Sequence, residues 1–466
     1  MKKFTLLLTL SAIVLLFVQA GIDLQQLDNY EGQQVPDYIN RDNTPPFNLI
    51  NNKSATLGRV LFYDKQLSLS GNQACASCHQ QQFAFSDTNQ LSDGHVGGKT
   101  GRHSMRLVNT RFAQEARFFW DERATTLENQ TTRPIQDHIE MGFSGTEGDP
   151  DIDSLIRRMY SLPYYPALFR EVYGDSTITE LRMQRSIAQF VRSIQSFDSR
   201  FDVGLAQVND VGDVFPNFTT PENAGKALFL APPNQGGAGC QGCHRAPEFD
   251  IDPVSRNNGV IRVAGTVDSI DLTNTRSPSL RDLFNPQGEL NGPLMHNGAF
   301  TNILQVINHY SAIPNDPRNT NLDNRLRGPG GNGTQQLNLT ATQKNFIIAF
   351  LKTLTGSSIY TDPKWSDPFE PDGSLKLTGI TANLTAVSPA AILMYPNPSH
   401  GALSIESQHA IQAIHIYTLG GKLLSTQSGY GQNSIQIQLN QARGIYYVNI
   451  RFEDGQSHTD KVLVSP

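Results

Sequence analysis

Two kinds of hydrophobic spacing divide this chain. In its longer N-terminal part the clearest apolar positions recur at steps of three and four. Ile187, Phe190, Val191, Ile194, Phe197 and Phe201 form one stripe, and Phe346, Ile347, Phe350, Leu351 and Leu354 form another. Such spacing puts each set on one face of an α-helix. The first helix is expected from Thr179 to about Arg200, with Thr177 or Thr179 as its cap. The second opens with a capping box of Thr340 and Gln343 and closes at Gly356. From Ile392 onward the pattern changes to alternation: Ile411, Ile414, Ile416; Ile435, Ile437, Leu439; Tyr446, Val448, Ile450. Turns at Gly420-Gly421, Gly429-Tyr430-Gly431 and Asp454-Gly455 separate these runs. The alternating segment predicts a small antiparallel β-sandwich over residues 392–466.

The remaining boundaries follow from composition. Lys2 and Lys3 precede an apolar run from Phe4 to Val18, and Val18-Gln19-Ala20 offers small residues for cleavage before Gly21. Residues 1–20 therefore predict a secretory signal peptide, and Gly21 in place of a cysteine argues against a lipid anchor. No later stretch reaches the roughly 18 apolar residues of a membrane span. Residues 21–211 and 212–374 form two helical blocks, joined near the loop Gly212 to Thr220, and residues 375–391 form a linker. A second loop is expected between Gly328 and Asn338. The net charge is −6, from 37 basic and 43 acidic residues. Nothing in that balance suggests a nucleic-acid partner.

The chain has four cysteines, all in two copies of one pattern: Cys75-Ala76-Ser77-Cys78-His79 and Cys240-Gln241-Gly242-Cys243-His244. Cys-x-x-Cys alone also suits a redox dithiol or half of a zinc site. A zinc site would leave the adjoining histidines unexplained, and a thioredoxin-like site needs a preceding strand, where Ser68 to Ala74 is polar and loop-like. Cys-x-x-Cys-His is the covalent attachment pattern of a c-type haem. Cys75, Cys78, Cys240 and Cys243 would form thioethers, and His79 and His244 would become the proximal iron ligands. The reading is two covalently bound haem c groups in a mainly α protein: two cytochrome c-like haem domains followed by a small C-terminal β-sandwich. Export agrees with this, because c-type haem is attached outside the bacterial cytoplasm.

The haem-bearing region, about residues 40 to 360, resembles the bacterial di-haem cytochrome c peroxidase and MauG family. Phe119-Trp120-Asp121-Glu122-Arg123-Ala124 is similar to the family's Phe-Trp-Asp-Gly-Arg-Ala signature. Leu127-Glu128-Asn129-Gln130, Pro134 and Glu140-Met141 follow, then Ser199-Arg200-Phe201-Asp202, Ser277-Pro278-Ser279-Leu280-Arg281 and Met295-His296-Asn297-Gly298. The resemblance implies reduction of hydrogen peroxide at the first haem, with electrons from a small donor protein such as a cytochrome c. It implies Glu140 as acid/base, Gln130 as its distal partner on a loop shaped by Pro134, and Trp120 as the electronic link between the haems. It implies His95, 16 residues after His79, as a displaceable ligand of the first iron, with His103 as the runner-up. A calcium between the domains, near Asn291 and the Pro293 carbonyl, and a homodimer are further family expectations. His103 stands where the family usually has an asparagine for that calcium.

The chain also departs from the family. In the peroxidase branch a methionine 14 residues after the Met-His-Asn-Gly histidine is the distal ligand of the second haem; here that place is Tyr310, with His309 beside it. A tyrosine there resembles the MauG branch, which uses peroxide to oxidise a protein or organic substrate. A hard phenolate favours oxidised iron, whereas methionine raises the potential. This implies peroxide reactivity without prior reduction, an implication that His95 opposes. The tryptophan that branch carries before its second motif is absent, since Gly236-Gly237-Ala238-Gly239 stands there. Finally, Tyr395-Pro396-Asn397-Pro398-Ser399, Gly444-Ile445-Tyr446-Tyr447 and Lys461-Val462 resemble the sorting domain of type IX secretion. That implies passage through the periplasm to the cell surface or medium.

Overall fold

The computed structural model describes residues 22–23, 26–114, 117–250, 255–378, 392–397, 399, 401–418, 422–439, 442–453 and 457–465. The signal segment, most of the linker and the turns expected at Gly420-Gly421 and Asp454-Gly455 lie outside these residues. The chain forms two compact units, Met1–Gly379 and Ile380–Pro466. No helix among the described residues is long and apolar enough to cross a membrane.

The first unit holds two hydrophobic cores, each built on a pair of crossing helices. In one, α1 (Asn52–Tyr63) crosses a later helix, Glu180–Ser193. In the other, Thr220–Leu230 crosses Ala341–Lys352. Both crossings turn on a glycine. A Cβ on Gly58 would lie 2.0 Å from the Ser186 carbonyl oxygen, and one on Gly225 would lie 1.8 Å from that of Phe346. The facing aromatics match too: Phe190 Cβ would lie 2.8 Å from the first added atom and Phe350 Cβ 2.9 Å from the second. The blocking atoms are backbone, which cannot rotate away. Gly58→Ala and Gly225→Ala are each expected to cost about 1–3 kcal/mol through overpacking. Thermal unfolding of the single variants would register this as a lowered midpoint with both haems still attached.

Several sequence expectations change here. The first long helix ends at Ser193, not near Arg200, because Ile194 is extended and closes it. Ser199 then caps a new short helix, Arg200–Leu205, so Phe201 joins the second core. Thr179 is the cap, its side chain accepting from the Arg182 N–H. Thr340 and Gln343 do form a capping box, but that helix stops at Lys352. Gly356 packs instead against Asp198 and Ser196. The stretch after it, read with the second block, returns to the first core. There Trp365 is buried, Tyr30 and Tyr63 donate to the Lys364 and Trp365 carbonyls at 2.6 Å each, and Arg59 Nε donates to the Ser366 carbonyl at 2.6 Å. Burial of a large aromatic outweighs chain proximity. Irregular backbone is also more extensive than a mainly α reading implies. Between Leu230 and Ile303 the only helical elements among the described residues are two three-residue 3-10 turns, Pro233–Gln235 and Cys240–Gly242, and the rest is loop with isolated β-bridges.

The C-terminal unit is one curled antiparallel sheet rather than two facing sheets. Its strands are β1 (Ile392–Tyr395), β2 (Ala402–Thr418), β3 (Leu423–Gln438), β4 (Gly444–Phe452) and β5 (Ser457–Val464). β3 pairs with β2 along its length; the other edge of β2 takes β1 beside residues 404–407 and β4 beside residues 411–418. Gly429-Tyr430-Gly431 is not a turn but a bulge inside β3, with Tyr430 and Gly431 at φ 52° and 67°. Register shifts in β2 between Glu406 and Ala413 face it. Bulges on both partners sharpen the twist, and the sheet wraps its own core of Leu403, Ile405, Ile414, Val448, Ile450 and Val462.

Candidate active site

Each Cys-x-x-Cys-His motif makes one helical turn. The His79 N–H donates to the Cys75 carbonyl at 2.9 Å, and the His244 N–H to the Cys240 carbonyl at 2.8 Å. Each imidazole is then oriented the same way: His79 Nδ1 pairs with the Phe85 carbonyl at 3.1 Å, and His244 Nδ1 with the Phe249 carbonyl at 3.3 Å. Phe85 and Phe249 both sit at positive φ, 59° and 56°, which turns their carbonyls back. A backbone bond at Nδ1 fixes the tautomer and leaves Nε2 as the donor for a metal. Burial lowers the pKa of both imidazoles, that of His244 to about 4, so both are neutral. The four thiols are free of disulfides. These donors fit two covalently bound haem c groups.

Each motif histidine opens on a cavity. The first encloses about 1760 Å³ of empty space, part of it continuous with solvent, and is lined by Cys75, Cys78 and His79. The second, lined by His244, encloses about 660 Å³. His103, Ser104, Met105, Arg106, Trp120 and Arg276 line both and form the wall between them.

Glu140, Gln130 and Pro134 line the first cavity with the motif. Gln130 sits on the short helix Leu127–Thr131, capped by Thr126. The buried pair Glu128–Arg192, 2.6 Å apart, pins that helix to Glu180–Ser193. Glu140 follows a tight turn in which the Asp137 carboxylate accepts the Ile139 and Glu140 N–H groups at 2.8 and 2.9 Å. Burial pushes the Glu140 carboxyl up to about 7; the Asp137 charge adds to this and Arg123 opposes it. A carboxyl titrating near neutrality in a cleft is a candidate proton-transfer group.

Trp120 donates its Nε1–H to the His103 carbonyl at 2.6 Å and meets the His296 ring edge-to-face at 6.2 Å. Its neighbour Glu122 stands where the resembled signature has glycine, and at φ 61° it occupies a glycine-favouring conformation. Glu122 accepts from the Ser255 hydroxyl and from Asn274 Nδ2, tying this loop to the second block. Those bonds offset a strain of about 1–3 kcal/mol.

His95 is not brought to the first cavity in this conformation. Its buried ring lies against Gly142, with Nε2 on the His138 carbonyl at 3.1 Å and Nδ1 without a partner. Its N–H donates to the Ile139 carbonyl at 3.1 Å, so it braces the turn that carries Glu140. His103 lines the cavities, but its Nδ1 is held by the Asn89 carbonyl at 3.0 Å. At the second cavity Tyr310, from the helix Ile303–Ser311, lines the pocket, whereas His309 turns its Nε2 to the Asn258 carbonyl at 2.9 Å.

Calcium does not fit the His103 side chain, since that ion takes about six to eight oxygen donors. The Asn291 amide donates to the Asp282 carbonyl at 2.8 Å and the Tyr360 hydroxyl at 2.9 Å; its Oδ1 and Asp282 Oδ2 are buried acceptors without a partner. Pro293 lines the second cavity. No group of three or more His, Cys, Asp or Glu side chains poised for a metal exists among the described residues. Arg106, Asn258 and Met295 were not singled out from sequence. Arg106 lines both cavities with its Nε unpartnered, and Asn258 and Met295 line the second. No local motif sets Arg106 or Asn258 apart, while Met295 opens the Met295-His296-Asn297-Gly298 segment.

Comparison with known proteins agrees with this geometry. Residues 52–210 match the family model for di-haem cytochrome c peroxidase, and residues 393–465 match that for the secretion system C-terminal sorting domain. The chain is 30% identical to the methylamine utilization protein MauG of Methylophilus methylotrophus, over 70% of this chain and 88% of that one. It is 26% identical to the cytochrome-c peroxidase IdrP1 of Pseudomonas sp. (strain SCT), over 68% and 84%. Among solved structures, a MauG-like protein associated with microbial copper homeostasis is similar at 27% identity and a TM-score of 0.56, covering 72% of this chain and 98% of that one. The diheme peroxidase BthA from Burkholderia thailandensis E264 shares the fold at 20% identity and a TM-score of 0.52, over 72% and 93%. Two haem-attachment motifs opening on adjoining cavities, together with these likenesses, place the chain in the di-haem cytochrome c peroxidase and MauG family, with a C-terminal secretion sorting domain behind it.

Proposed function

We propose that the protein reduces hydrogen peroxide to water with electrons from a small redox protein such as a cytochrome c. The observation that carries this reading is the meeting of Glu140, Gln130 and Pro134 with Cys75, Cys78 and His79 around one cavity. Cys75 and Cys78 would hold the first haem and His79 its iron; Cys240, Cys243 and His244 would hold the second. When bound, these groups supply one iron site for peroxide and one for incoming electrons. Glu140 takes the proton from the nearer peroxide oxygen and returns it to the departing one, so that the O–O bond breaks heterolytically and water leaves. A carboxyl titrating near 7 can hold and release that proton at neutral pH. The Gln130 amide orients the peroxide. Trp120, in the wall shared by the two cavities, carries electrons inward from the second site.

Tyr310 at the second cavity favours a second reading, in which peroxide oxidises a protein or organic substrate. A hard oxygen donor stabilises oxidised iron and makes that site a poor electron store. The two readings separate by the redox state needed. The holoprotein is mixed with peroxide fully oxidised and half-reduced, with reduced cytochrome c present. Turnover that oxidises cytochrome supports the peroxidase; fast reaction of the oxidised form that leaves the cytochrome reduced supports the alternative. The sorting domain marks the chain for export, and we place its work in the periplasm or beyond the outer membrane.

A further inference from the structure

We infer that the second haem site has two axial donors at hand, the Tyr310 hydroxyl and the Met295 thioether, both held by the side-chain amide of Asn258. The inference rests on the reading that Tyr310 faces the second iron. Asn258 Nδ2 lies 3.4 Å from Tyr310 Oη and 3.5 Å from Met295 Sδ. The amide has no freedom to turn the other way. Its Oδ1 accepts the Val260 N–H at 3.0 Å, and its backbone carbonyl takes His309 Nε2 at 2.9 Å. One N–H proton is therefore available for each of the two facing atoms. All three side chains line the cavity that His244 lines.

Met295 is also placed with unusual firmness. It sits at φ 71°, a conformation that side-chain-bearing residues rarely adopt and that surrounding structure must impose. The imposing contacts are two turn bonds: the Leu294 N–H to the Phe300 carbonyl at 2.8 Å, and the Gly298 N–H to the Met295 carbonyl at 3.0 Å. A thioether thus stands next to the phenol oxygen at one amide. Oxygen is the harder donor and sulfur the softer, so between them the pair suits both oxidised and reduced iron. The consequence is exclusion. When one donor is absent the other closes the site, and peroxide is confined to the first cavity, where Glu140 is. Asn258 is a positioning residue in this arrangement, acting through the two donors.

The test uses the holoprotein, checked by mass for two attached haems, as wild type, Tyr310→Phe, Met295→Leu and the double variant. Two readouts are taken: the ligand-to-iron charge-transfer bands of the oxidised protein, and carbon monoxide bound per chain after reduction. Tyr310→Phe is expected to lose a phenolate band, gain a thioether band and bind no more carbon monoxide than wild type. The double variant is expected to lose the thioether band and bind one more carbon monoxide per chain. Asn258→Leu is expected to shift the phenolate band, which a packing role alone would not do. A Tyr310→Phe protein that becomes five-coordinate and itself binds the additional carbon monoxide overturns the inference. A Tyr310→Phe spectrum identical to wild type overturns instead the Tyr310 reading. Met295 as donor then stands only if Met295→Leu alone removes a thioether band.

Discussion

Replacing Glu140 by glutamine is expected to lower peroxide turnover by roughly 10²- to 10⁴-fold, the usual contribution of a positioned acid/base group. Glutamine keeps the size and polarity but can neither take nor return the proton. Haem content and fold should be unchanged, because the Glu140 carboxyl makes no bond that holds the turn; the turn is held by Asp137 accepting backbone N–H groups. The pH profile gives a second readout. Burial raises the Glu140 carboxyl to about 7, so the base form accumulates as pH rises through that value. Wild-type kcat/KM should climb across the same range and level off above it. Glu140→Gln should be slow throughout, with that limb gone. A variant within threefold of wild type would assign the proton transfer elsewhere.

The largest expected stability loss comes from a pair that does not line the peroxide pocket. Asp202→Ala should destabilise the haem-bearing unit by about 3–5 kcal/mol, as expected when one partner of a buried ion pair is removed. Asp202 faces Arg281 at 2.8 Å, with side-chain exposures of 5% and 0%. It also accepts the Tyr38 hydroxyl at 2.7 Å and the Ser199 N–H at 3.0 Å. Arg281 lies under Phe197, Phe201 and Phe249, so its charge would be left among aromatic rings. Burial, the largest single effect, raises the Asp202 pKa, but the Arg281 charge together with the hydrogen bonds from Arg281, Ser199 and Tyr38 outweighs it, and the net shift is downward. A lowered carboxyl pKa contributes stability above the ordinary aspartate range of about 4, and that contribution is lost as pH falls through the folded value. Denaturant unfolding at pH 7 and in acid should show wild type and Asp202→Ala far apart at pH 7 and converging in acid.

That ion pair also explains why two sequence landmarks belong together. Ser199-Arg200-Phe201-Asp202 and Ser277-Pro278-Ser279-Leu280-Arg281 are far apart in the chain, and their last residues form the buried bridge. The haem motifs were fully legible, because the thiols and imidazole of each attachment site are contiguous. Glu140, Gln130 and Trp120 were legible only through a family signature; nothing in their local spacing distinguishes them from surface polar groups or core aromatics. Helix existence followed from the stripes at Ile187 and Ile347, but helix ends did not. Ile194 and Thr353 end their helices and give their carbonyls to distant donors, the Asn109 and Phe201 N–H groups at 3.0 Å each, while the apolar stripe continues past each of them. The single sheet was hidden for a related reason. Alternation assigns an inward face to each strand and leaves open whether that face meets a second sheet or the same sheet curling at a bulge. Asn258 was illegible altogether, since its significance lies in contacts across 37 and 52 residues of chain.

The most direct test of the central claim is electron counting. The holoprotein is given a known amount of hydrogen peroxide in the presence of excess reduced cytochrome c, and the oxidised cytochrome is measured as each peroxide is consumed. Two cytochromes oxidised per peroxide, with the rate lost in Glu140→Gln, is the result the account expects. Peroxide consumed at a wild-type rate with the cytochrome left reduced would contradict it.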